Sequence, residues 1–96
     1  MKTVAKYPLK VSDCLEVEMP QGAQIVHLGV ARAKPCLFAL VDDQKPRVLR
    51  RFRLTATGEP IPDLVPDWKF VGSLLLGAND CHLWDLGESP AVNAAR

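Results

Sequence analysis

Proline and glycine punctuate this chain so densely that little room is left for a long helix. Eight prolines and six glycines leave runs of about five to eleven residues, in which Val, Leu, Phe and Thr alternate with polar side chains. A period of two marks a half-buried strand, and no segment of ten or more residues carries a capped helical stripe. The expected fold is all-β: a single small antiparallel sandwich or partly open barrel of about six to seven strands, with little helix.

The strands are read as follows. Thr3 to Tyr7 stops before Pro8, and Cys14 to Met19 places Leu15, Val17 and Met19 on one face and Cys14, Glu16 and Glu18 on the other. After a turn at Pro20-Gln21-Gly22, Ala23 to Ala31 points Val26, Leu28 and Val30 one way and Ile25 and His27 the other. Cys36 to Val41 is apolar on both faces, as a central strand would be. Arg47 to Thr57 alternates Phe52, Leu54 and Ala56 with Arg51, Arg53, Thr55 and Thr57. A proline-rich connection over 58–67 follows, then a closing hairpin of Lys69 to Leu76 and Cys81 to Leu86. Residues 1–86 form the expected domain and 87–96 a flexible tail.

Length bounds what such a domain does. At 96 residues a chain buries only about 60 to 65% of its unfolded surface, which suffices for one core and argues against a deep catalytic cleft. No apolar run approaches the roughly 20 residues of a membrane helix, and the opening residues lack the apolar core of a signal peptide. A cytoplasmic protein is expected, with no membrane partner. Cys14, Cys36 and Cys81 are odd in number and contain no Cys-x-x-Cys pair, so buried thiols are expected rather than disulfides. A zinc site with His27 and His82 is disfavoured because adjacent Cys81 and His82 point to opposite faces of a strand. No metal or cofactor is expected.

No phosphate loop, His-Glu-x-x-His or Gly-x-Ser-x-Gly pattern is present, so an enzyme is not expected. Charge placement is more informative. The net charge is only +1, yet Arg32 to Arg53 holds seven cations against two acids, and Glu59 to Glu88 six acids against Lys69. Arg51, Arg53, Thr55 and Thr57 form a row suited to phosphate or carboxylate recognition. The simpler alternative is a solvated face paired with Glu16 or Glu18. The loop from Thr55 to Pro62, with Gly58 for positive φ and Glu59 beside it, is a stiff recognition element or a rigid crossover with Ile61 and Leu64 plugging the barrel end. Trp84 shares a face with His82 and Leu86 and offers a stacking surface, unless it and Trp68 pack into the core or a dimer. Nucleic-acid binding is disfavoured by the near-neutral charge and the lack of an interleaved basic and aromatic strand pair.

Beyond these patterns, Met1-Lys2-Thr3-Val4 with Lys6-Tyr7-Pro8-Leu9, Glu18-Met19-Pro20 with Gly22-Ala23, Pro35-Cys36-Leu37 with Ala39-Leu40-Val41-Asp42, Thr57-Gly58 with Pro60-Ile61-Pro62, and Phe70-Val71-Gly72-Ser73 with His82 resemble a family of small phage and prophage proteins of unknown function. The resemblance covers nearly the whole chain except the tail. It implies a phage accessory gene acting in a bacterial cytoplasm, and no reaction. Glu59, Ala5 and Phe38 stand where that family usually has histidine, an aromatic residue and tryptophan. A histidine-based role of the 58–62 loop therefore does not carry over.

The resulting expectation is a non-catalytic, phage-type accessory protein that binds stoichiometrically, with Arg51, Arg53, Thr55, Thr57, Gly58, Glu59 and Trp84 as ligand-binding residues. Its partner is a host protein or an anionic, nucleotide-like small molecule, countering host defence. The alternatives are a virion structural or assembly component and a small enzyme whose turnover depends on His27 or His82. So short a chain gains core by pairing, so a homodimer is expected.

Overall fold

The computed structural model describes residues 1–32, 34–61 and 67–89. These form seven strands: β1 (Lys2–Pro8), β2 (Cys14–Pro20), β3 (Gln24–Ala31), β4 (Lys34–Asp42), β5 (Arg47–Ala56), β6 (Lys69–Leu76) and β7 (Asn79–Glu88). All pairings are antiparallel. The strands divide into a three-stranded sheet, β1-β4-β3, and a four-stranded sheet, β2-β5-β7-β6. The all-β sandwich read from the alternation is what the chain adopts, and no described helix is long and apolar enough to cross a membrane.

The core follows from the strands' inward positions. In the four-stranded sheet Leu15, Met19, Val48, Phe52 and Leu83 are buried, and in the facing sheet Leu37, Ala39 and Val41 meet them. Register explains the grouping, because Leu15 lies opposite Phe52 and Met19 opposite Val48. Edge strands β3 and β6 approach each other and close one side of the sandwich. Gly72 sits at that seam, where a Cβ would meet Leu28 Cδ2 at 3.5 Å, an ordinary van der Waals contact. On the opposite side β1 and β2 are both sheet edges. Pro8 is accommodated within β1, where an edge strand tolerates a missing N–H.

Several sequence expectations need correction. Bulges interrupt the simple alternation at three places: Ile25/His27 in β3, Phe70/Gly72 in β6, and opposite Arg51/Phe52 in β7. Each inserts one residue and shifts the inward set by one position. Consequently Ile25 and Leu28 both pack on the core, whereas Val26 is exposed, so Val26 and Leu28 do not share a face. Gly87 and Glu88, assigned above to the flexible tail, belong to β7, and Ser89 N–H donates to Leu49 C=O at 2.7 Å. Gly87 takes φ +92 beside the bulge, which breaks the visible pattern there. Of the three thiols only Cys36 is buried, and Cys14 is exposed. The rest of the tail, and Pro62 and Leu64, lie outside the described residues.

One charged pair sits inside the sandwich. Arg50 and Asp85 face inward with side chains only 14% and 9% exposed. Arg50 Nε and Nη2 donate to Asp85 Oδ1 and Oδ2 at 3.0 and 2.8 Å, and Nη1 donates to Ala23 C=O at 2.8 Å. Asp85 Oδ1 also accepts the Gly87 N–H at 2.8 Å. The hydrogen bonds to Asp85 are the main cause that raises the guanidinium above its ordinary pKa. This fork ties the β2–β3 turn to the β5–β7 ladder.

Candidate functional site on the outer face of the four-stranded sheet

On the solvent side of the four-stranded sheet, pairing registers align chemistry-bearing residues in two rows. Arg53 lies opposite Trp84, which lies opposite Phe70; Thr55 lies opposite His82, which lies opposite Ser73. Thr57 continues this face just past the end of β5.

The first row is aromatic. The Trp84 ring centroid is 5.3 Å from that of Phe70 at 63° and 6.3 Å from that of Trp68 at 45°. Both arrangements suit the ring quadrupoles. The Arg53 guanidinium lies 5.9 Å from the Trp68 ring centroid and donates to Glu59 Oε2 at 3.4 Å. Arg53 Nε is buried and has no hydrogen-bond partner among the described residues. Trp84 Nε1–H donates to Thr55 Oγ1 at 3.0 Å. Thr55 is therefore only 3% exposed, and its hydroxyl braces Trp84 from below. Phe70 remains 58% exposed, so a large apolar ring faces solvent on the edge strand β6.

The second row is polar. Ser73 Oγ lies 2.7 Å from His82 Nδ1, and Thr57 Oγ1 lies 2.8 Å from His82 Nε2. Thr57 also contacts Asp80 C=O through its hydroxyl at 3.4 Å and its N–H at 3.1 Å.

The loop after β5 is a four-residue turn. Glu59 N–H donates to Ala56 C=O at 3.0 Å, Gly58 takes φ +88, and Glu59 Oε1 accepts the Ala56 N–H at 3.1 Å. Positive φ at the third turn position is the demand that glycine meets. Nothing lies within 4 Å of a Cβ built at Gly58, so Gly58→Ala costs backbone strain alone. A loss of about 1–2 kcal/mol in urea unfolding is expected; an unchanged midpoint would show that the turn adapts freely. Ile61, considered above as a plug for the barrel end, is 39% exposed.

The basic row is opposed by acids along its length. Arg47 meets Glu18 at 3.8 Å, Arg53 meets Glu59 at 3.4 Å, and Arg51 is exposed opposite Glu16. Surface pairs of this kind contribute about 0–1 kcal/mol each. They also offset the field that the clustered arginines would otherwise present.

A family model matches this chain and spans every one of its strands. Residues 1–93 match the domain of unknown function DUF7352. The chain belongs to that family. No curated protein and no solved structure matches it, so the DUF7352 assignment carries no reaction, ligand or partner with it. Within this DUF7352 chain, no group of three or more His, Cys, Asp or Glu among the described residues is placed to hold a metal ion. Of the residues singled out from sequence, Arg53, Thr55, Thr57, Glu59 and Trp84 converge on the outer face, with Gly58 shaping the adjoining turn. Arg51, two residues along β5 from Arg53, lies between Glu16 and Gly87 and outside the aromatic row.

Phe70 and Ser73 are not among the site residues expected from sequence, where Ser73 reads as a plain strand residue because Gly72-Ser73 lacks the flanking pattern of a nucleophile turn. The signal that finds them is turn length. A two-residue Gly77-Ala78 connection pairs Leu76 with Asn79, and counting back along that ladder sets Ser73 opposite His82. The four-residue turn assumed above hides the pairing. Phe70 requires also the bulge at Val71, which alternation does not reveal.

Proposed function

We propose that this DUF7352 protein acts by stoichiometric binding of another protein through the outer face of its four-stranded sheet. The observation that carries the reading is the Trp68-Trp84-Phe70 cluster with Arg53, held on the solvent side of a sheet whose core is already filled from the other side. An exposed Phe70 beside half-buried tryptophans and arginine presents the residue types that dominate binding energy at protein interfaces. Thr55 holds Trp84 and the tight 56–59 turn holds Glu59, so little side-chain freedom is lost on binding. The carboxylates beside Arg47, Arg51 and Arg53 favour a protein partner over a free nucleotide-like anion. The sequence resemblance supplies the proposed setting, a phage-type accessory protein binding a host protein in a bacterial cytoplasm.

The test uses Phe70→Ala, which removes an exposed ring and should leave unfolding within about 0.5 kcal/mol of wild type. A bacterial protein retained by the wild type is purified and titrated against both forms. Phe70→Ala is expected to weaken binding roughly 30-fold, about 2 kcal/mol, while Val30→Ala on the other sheet leaves it unchanged. Equal affinity for Phe70→Ala, or binding of nucleotides that depends on Arg51 instead, would overturn the reading.

A further inference from the structure

The second row of the outer face carries a chemistry that binding alone does not require. His82 has both ring nitrogens engaged, Nδ1 with Ser73 Oγ at 2.7 Å and Nε2 with Thr57 Oγ1 at 2.8 Å. Thr57 has one hydroxyl proton, and Asp80 C=O lies 3.4 Å from its oxygen. A carbonyl only accepts, so the assignment that satisfies all three contacts gives the Thr57 proton to Asp80. In the neutral imidazole Thr57 Oγ1 then accepts the Nε2–H, and Nδ1 is left bare. The bare Nδ1 can only accept, so Ser73 must donate to it.

From this geometry we infer that Ser73 is a nucleophilic hydroxyl with His82 as its general base, and that it reacts with activated acyl or phosphoryl esters. Thr57 and the Asp80 carbonyl act as positioning groups: they fix the imidazole tautomer through a hydroxyl relay rather than a carboxylate. Ser73 is exposed on β6, and Phe70 and Trp84 lie on the same face. An ester with an apolar group seated on those rings brings its electrophilic centre to Ser73. In the step itself Ser73 Oγ forms a bond to the acyl carbon or phosphorus, the leaving group departs with its bonding electrons, and the hydroxyl proton passes to His82 Nδ1. The inference rests on the outer face as the binding surface but needs no particular protein partner.

The experiment is labelling of the full chain with an alkyl fluorophosphonate, in which the O–P bond forms as fluoride leaves, followed by peptide mapping. The expected adduct is on Ser73, formed at least about 100-fold faster than on the same chain in urea, as general-base assistance supplies. Ser73→Ala abolishes the adduct and His82→Gln slows it about 100-fold. Thr57→Val slows it about tenfold while Thr57→Ser restores the rate, a rescue that a purely structural role of the methyl group would not give. Labelling no faster than in urea, or unaffected by His82→Gln, overturns the inference. If Phe70→Ala still weakens partner binding under that outcome, only the nucleophile falls and the binding function stands.

Discussion

Replacing Asp85 with Asn is expected to lower the stability of this domain by about 3–5 kcal/mol, one of the two largest effects of any single substitution considered. The reason lies in what is left behind. Arg50 is held by its bond to Ala23 C=O with its side chain only 14% exposed, so its guanidinium has little access to water when its counter-charge is removed. Asn also offers one carbonyl oxygen where the carboxylate now receives two guanidinium bonds and the Gly87 N–H. For a domain of this size 1 kcal/mol corresponds to about 4–8 °C, so the melting temperature falls by at least about 12 °C. The double variant Arg50→Met/Asp85→Leu, which removes both charges, is expected to unfold near the wild-type midpoint. Urea titration of both variants checks this; an Asp85→Asn loss under 1 kcal/mol would show that the pair is solvated. On the arginine side the sign with pH is fixed: its pKa is raised by Asp85, so its contribution is complete below the unfolded value. It is lost only as pH climbs through the raised one. Across neutral pH the arginine's contribution is flat.

Phe52→Ala is the second large loss, about 3–5 kcal/mol. Phe52 is 1% exposed and among the largest fully buried side chains. It sits in the middle of β5 between Leu15 and Asp85, where both flanking strands are hydrogen-bonded and cannot collapse into the vacated space. The cost therefore includes a cavity as well as lost transfer energy. Phe70, the same residue type on the opposite side of the same sheet, is the internal control, because its truncation creates no cavity. Chemical unfolding that ranked the two substitutions equally would contradict the inward and outward assignment of the four-stranded sheet.

That assignment was legible wherever alternation runs unbroken. Leu15, Val17 and Met19 against Cys14, Glu16 and Glu18 place β2 correctly, and Cys36 to Val41 reads as the centre of a sheet because it is apolar on both faces. Reading failed where a single inserted residue resets the count. Val26, Val71 and the 85–87 segment are such places, and a bulge has no composition of its own when flanking residues are apolar. Arg50 illustrates a different limit. From sequence it is assigned to neither face, because a charged residue is interior only if its partner is too, and Asp85 is 35 positions away. The candidate site was half legible for the same reason: Arg53, Thr55, Thr57 and Trp84 follow from strand periodicity, whereas Ser73 and Phe70 depend on cross-strand register.

The strand order also sets how the chain reaches this state. Only β3 with β4 and β6 with β7 are sequence neighbours that pair; β1 must find β4, β2 must find β5, and β5 must find β7. The two hairpins form within about microseconds, but each exposes an apolar face until the distant strands arrive. Most of the loop-closure entropy is therefore paid before the core rewards it, which places folding in the range of about milliseconds to seconds. Strand β5, flanked by partners from both ends of the chain, is where that search concludes. During synthesis, β2 emerges well before β5 and waits as an unpaired edge, so this order makes the nascent chain, more than the finished domain, the state vulnerable to mispairing.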